Sequence, residues 1–121
     1  MTLVRPVVVG LRPSPFREAL TDWVRDQGRE TFVTGEAAEA LSWVRARPEV
    51  VSFLDRDLER LDGEEAWRVV HRVVGHRLVL MAAERTNEVW FSALAEGVGT
   101  VLPLPTERDV VLAALRLASK R

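Results

Sequence analysis

Five short apolar runs, each followed by a stretch with helical spacing, restrict this chain more than any other feature. The runs are Val4–Val9, Thr31–Thr34, Val50–Leu54, Leu78–Ala82 and Val98–Leu102. Runs this short, rich in β-branched residues and bounded by turn formers, read as buried strands. After the first, Ser14 supplies a capping hydroxyl and Pro15 fits the first helical position; Phe16, Leu20, Trp23 and Val24 then share one face, and Gly28 ends the helix. Glu36–Ala46 is the second helix, with Ala37, Ala40, Leu41 and Val44 inward and Pro48 as its stop. Asp62 and Glu65 have the spacing of a capping box for a third helix with the stripe Ala66, Val69, Val70 and Val73, closed by Gly75. Thr86–Glu96 is the fourth, stopped by Gly97, and Thr106 with Asp109 caps a fifth from Glu107 to about Ser119. Strand and helix alternating with short connections imply a parallel sheet covered by helices on both faces.

The 121 residues are expected to form one domain, 1–121, long enough for its own core. Apolar residues make up 47% and charged residues 29%, as in ordinary globular chains. With 17 basic and 18 acidic residues the formal net charge is −1, so no field of one sign points to direct nucleic-acid binding or to a membrane surface. Cysteine is absent, which excludes disulfides and thiolate chemistry. Met1 to Val9 lacks the apolar core and cleavage pattern of a signal peptide, and no run approaches the ~20 residues of a membrane span. A cytoplasmic location is the expectation.

The stretch with chemical content is Leu54-Asp55-Arg56-Asp57-Leu58-Glu59-Arg60-Leu61-Asp62-Gly63. It puts a carboxylate, Asp55, directly after the central apolar run and hence at the carboxyl edge of the sheet, where open α/β folds keep their sites. Its spacing closely resembles the central strand and following loop of response-regulator receiver domains. Arg17-Glu18-Ala19-Leu20, Thr34-Gly35-Glu36-Ala37-Ala38-Glu39-Ala40-Leu41, Gly97 and Leu102 to Pro105 are similar to other segments of that family, in order and at matching separations, so the resemblance spans the chain. It implies a flavodoxin-like, doubly wound five-stranded parallel sheet of order 2-1-3-4-5. It also implies a role in two-component signal transduction, with Asp55 at the position that accepts a phosphoryl group.

The family's phosphoryl site also needs two acidic metal ligands after the first strand, a Thr or Ser ending the fourth strand and a lysine after the fifth. Metal and lysine charge offset the repulsion between an anionic donor and an anionic nucleophile. By the same resemblance those positions are Leu11 and Arg12, then Ala82, then Leu104 beside the retained Pro105, while the family's switch aromatic falls on Val101. Only Asp55 remains. The resemblance is thus to a degenerate receiver, or pseudo-receiver, without a magnesium site or other cofactor, and without catalytic residues. Arg12 carries a permanent charge into the metal-ligand position and is expected to pair with Asp55.

Three functions follow from this reading. The leading one is a non-enzymatic, phosphorylation-independent domain acting by contact with a protein partner: an effector domain, kinase or regulator. The others are a conventional receiver phosphorylated on Asp55 by a histidine kinase, and a sensor that binds a small ligand at the sheet's carboxyl edge. Asp55-Arg56-Asp57 also matches the Asp-x-Asp signature of haloacid-dehalogenase-type phosphatases, but the threonine expected two residues later is Glu59 and the chain is too short for the later motifs. His71 and His76, five apart, do not have zinc-ligand spacing and read as surface residues. Trp67 and Trp90 are not clearly inward. In the last helix, Val111, Ala114, Leu115 and Ala118 face the sheet, which leaves Val110, Ala113 and Leu117 unexplained. With Trp90 they make a candidate contact surface, and in the family the fourth helix, fifth strand and fifth helix form the usual homodimer and output face.

Overall fold

The structure, a computed structural model, describes residues 4–83 and 87–120. Strands β1 (Val7–Gly10), β2 (Thr31–Thr34), β3 (Val51–Asp55), β4 (Leu78–Ala82) and β5 (Thr100–Pro103) alternate with helices α1 (Pro15–Arg25), α2 (Ala37–Ala46), α3 (Ala66–Val74), α4 (Asn87–Ala95) and α5 (Arg108–Ala118). All strand pairs are parallel, in the order β2-β1-β3-β4-β5. This is the flavodoxin-like arrangement expected from the resemblance.

Alternation along the strands divides the core in two. Val8, Leu54, Leu78 and Leu80 pack on one face against α2, α3 and Ala93 of α4. Val7, Val9, Val51, Phe53, Val79 and Met81 pack on the other against α1 and α5. Gly10 ends β1 without a side chain because Leu54 occupies the space: a Cβ there would meet Leu54 Cδ1 at 2.5 Å.

Several expected features hold. The Ser14 hydroxyl accepts from the Arg17 amide at 3.0 Å and Pro15 opens α1. The inward residues of α2 are Ala37, Ala40, Leu41 and Val44, and those of α5 include Val111, Ala114, Leu115 and Ala118. Others need correction. β1 begins at Val7, where the Val7 amide first finds a strand partner in Glu30 O, and Val4 is exposed; Pro6, having no N–H, cannot extend that ladder. β5 begins at Thr100, because the Val98 amide closes the end of α4 on Ala93 O.

Neither capping box forms. Asp62 and Gly63 both have positive φ, 51° and 79°, and make a two-residue turn in which Leu61 and Glu64 exchange backbone hydrogen bonds of 2.9 and 3.0 Å. Aspartate and glycine are the residues that tolerate that conformation. α3 therefore starts later, at Ala66, with Glu65 as its cap and no side-chain capping bond. The buried face of α3 runs through Ala66, Trp67, Val70 and Val74; Trp67 is 2% exposed, against the sequence expectation, while Val69 and Val73 are only partly buried. In α5 the cap residue is Glu107 and not Thr106, so Asp109 falls at the second helical position, one place too early for a box. The expected start of the fourth helix, Thr86, lies outside the described residues.

Candidate functional site

β1 and β3 are paired in register, Gly10 beside Leu54, so the residues that follow them emerge together at the carboxyl edge. Leu11 turns back into the core between the sheet and α1/α5 and is 1% exposed. Arg12 turns the other way, over the edge. Its Nε and Nη2 lie 3.1 and 3.0 Å from the same Asp55 oxygen, Oδ2. The pair is unequal: the Asp55 side chain is 1% exposed and that of Arg12 58%. The other carboxylate oxygen, Oδ1, accepts the Asp57 amide at 2.8 Å. A buried carboxylate without such donors would be costly, and here both oxygens are engaged.

The loop after Asp55 is held at each step. The Leu58 amide reaches back to Asp55 O at 3.3 Å, and its side chain is buried. Glu59 Oε1 accepts the Ala37 amide at 2.6 Å, so a carboxylate from this loop caps α2 from 22 residues away. Arg60 donates to Gly63 O from both Nε and Nη2, which braces the two-residue turn. Arg56 pairs with Asp57 Oδ1 through Nη2 at 3.1 Å. Beyond the turn, Glu65 Oε2 accepts the Trp67 indole N–H at 2.8 Å. That hydrogen bond, with help from Arg68, holds the Glu65 carboxyl below its ordinary range despite partial burial. None of Glu59, Trp67 or the Arg60 brace was legible from local sequence, because their partners are fixed by the fold rather than by spacing.

The remaining positions surround the cleft without adding charge to it. Ala82 ends β4, is buried, and its carbonyl accepts the Leu104 amide at 3.1 Å. Leu104 precedes a cis peptide to Pro105, and its side chain packs partly buried against the α1/α5 side. Val101 is buried on the opposite face. Magnesium, which the resemblance would require here, does not fit this donor set. A hard cation takes about six oxygen ligands, whereas among the described residues Asp55 is the carboxylate at this position, both its oxygens are engaged, and a guanidinium stands where a second acid would be. Among the described residues no group of three His, Cys, Asp or Glu could hold a metal ion. His76 donates from Nε2 to Lys120 O at 2.7 Å, far from Asp55 in the fold, and His71 is partly buried.

The candidate contact residues are spread over both sides of the edge strand β5. Trp90 on α4 and Val110 and Leu117 on α5 are exposed, Leu117 at 58%; Ala113 is partly buried. Phe91 and Leu94 on α4 are exposed too and belong with them, although sequence spacing had not singled them out. No helix among the described residues is long and apolar enough to cross a membrane.

No protein-family model and no curated protein matches the chain by sequence. Solved structures do match its fold. The chain is similar to the signal receiver domain of the response regulator NarL from Mycobacterium tuberculosis, with 25% identity over 97% of this chain and 98% of that one and a TM-score of 0.72. It is also similar to a two-component response regulator from Clostridium difficile, with 15% identity over 98% of each chain and a TM-score of 0.80. A response regulator from Desulfuromonas acetoxidans gives a TM-score of 0.81 at 12% identity, covering 93% of this chain and 94% of that one.

Proposed function

We propose that this chain, which has the fold of response-regulator receiver domains, is a signalling domain that works through contact with a protein partner and independently of phosphorylation at Asp55. The observation that carries the proposal is the guanidinium of Arg12 on Asp55 Oδ2. A phosphoryl donor is anionic and must reach a free carboxylate oxygen with compensating positive charge around the transferred group. Here one oxygen faces the guanidinium, the other holds the Asp57 amide, and Ala82 and Leu104 bring neither hydroxyl nor ammonium. A neutral pair replaces the metal, so the cleft has one settled state and the signal must come from elsewhere. In this proposal the domain is not an enzyme and needs no metal. Its output passes through the exposed residues flanking β5, to a partner protein or a second copy.

The test is incubation with acetyl phosphate, and separately with beryllofluoride, each with magnesium. The expected result is an unchanged intact mass and an unchanged amide spectrum. A stoichiometric adduct on Asp55, with shifts spreading to α4 and β5, would instead establish the conventional phosphoacceptor reading.

A further inference from the structure

A cavity of about 240 Å³ opens between α3 and α4, beside the loop that carries Arg56. It is smaller than the roughly 300–1,000 Å³ of sites for drug-sized ligands, so any occupant is small. Trp67 and Leu80 form its apolar floor, and Arg56, Glu88 and Ser92 line it with polar groups. Its two other charged residues are spent on each other and on neighbours: Arg68 lies 4.6 Å from the Trp67 ring and pairs with both Glu65 and Glu96. The first three are less fully engaged. Arg56 Nε is buried with no acceptor, and among the described residues the partner of that guanidinium is Asp57, on Nη2. Neither the Glu88 carboxylate nor the Ser92 hydroxyl has a partner among the described residues.

We infer that this cavity binds a small zwitterion of the α-amino-acid class. A guanidinium with one nitrogen engaged and, among the described residues, an unpaired carboxylate line one small space together with a hydroxyl. A lone anion would satisfy Arg56 but meet Glu88, and a lone cation would do the reverse. A molecule with its carboxylate on Arg56 and its ammonium on Glu88 satisfies both, and charge-assisted hydrogen bonds are the strong ones. The floor of Trp67 and Leu80 leaves room for a short apolar side chain only. Binding would tie α4, which carries Trp90, Phe91 and Leu94, to the loop that holds Asp55. The inference is independent of whether Asp55 can be phosphorylated.

Alanine is the probe, with acetate and ethylamine as its separated halves, added at millimolar concentration to the isotope-labelled protein. The Trp67 indole N–H, bonded to Glu65, is a built-in reporter. Alanine is expected to shift that signal and the amides of Arg56 and Ser92, while neither half does so at the same concentration. Arg56→Gln and Glu88→Gln should each weaken alanine binding about tenfold or more; Glu88 is exposed on α4, so its replacement leaves the core intact. No response to alanine, an equal response to acetate, or full alanine affinity in Glu88→Gln would each overturn the inference.

Discussion

At the scale of single residues the decisive pair is Arg12 and Asp55. Its energetics follow from its asymmetry. Asp55 has lost nearly all its water, so it needs donors, whereas Arg12 keeps most of its solvent contact and gives up little to supply them. Removing Arg12 leaves a buried carboxylate with the Asp57 amide as its remaining hydrogen-bond donor. Arg12→Ala is therefore expected to cost about 1–2 kcal/mol, the lower part of the range for a broken buried pair because one partner is half in water. Asp55→Asn removes the charge that Arg12 answers, so the double variant should be more stable than the sum of the singles implies, by about 0.5 kcal/mol or more. Chemical denaturation of the four proteins measures this. Strict additivity would make Arg12 a bystander on the surface of the cleft.

At the scale of elements, the β3–α3 loop is a brace between units rather than a free connection. Glu59 is the clearest case. α2 begins at Ala37 after Glu36, whose own side chain makes no capping bond, so the first turn would leave its amides to water. The carboxylate of Glu59 reaches the Ala37 amide instead and adds a negative charge at the positive end of the helix. Glu59→Ala is expected to lower stability by about 0.5–2 kcal/mol, the range for loss of a helix cap, read as a lower urea midpoint at unchanged slope. Glu59→Gln, which keeps an acceptor but not the charge, should fall between. If Glu59→Ala leaves the midpoint where it was, the contact is incidental and the loop is held by Leu58 and the Leu61–Glu64 turn.

At the scale of the whole molecule, the uneven feature is the sheet's β5 end. β2 and β5 are both edge strands, but α4 and α5 beside β5 leave Trp90, Phe91, Leu94, Val110 and Leu117 in solvent. Single exposed apolar residues are ordinary, whereas several on the two helices bordering one edge suggest a surface that is covered in use. Self-association through this face is expected to appear as a concentration-dependent sedimentation coefficient. Leu117→Glu places a charge in it without touching the buried face of α5, and should shift the protein towards monomer. A wild-type chain that sediments as a monomer at high concentration would remove the homodimer and leave the face for another protein.

The sequence alone determined the layers and most of their inward faces. Five apolar runs can be buried on both sides only in a sheet with helices above and below, and the spacing of Ala37, Ala40, Leu41 and Val44, or of Val111, Ala114, Leu115 and Ala118, allows one inward face. The resemblance to receiver domains, which sets the first strand beside the third, placed Arg12 beside Asp55, and the structure pairs them. Tertiary structure decided what depended on partners distant in the chain. Asp62 had the spacing of a cap but was taken by a turn, since Leu61 and Glu64 could pair across Asp-Gly. α3 therefore starts only at Ala66, and packing against the sheet chose the face with Trp67 and Val74 over that with Val69 and Val73. Glu59 carried no local mark of its role, because its acceptor site lies on a helix that only the fold brings within reach. Local periodicity reports which face a segment can bury; where a segment starts, and which charges meet, is set by competition among contacts that exist only after the sheet has formed.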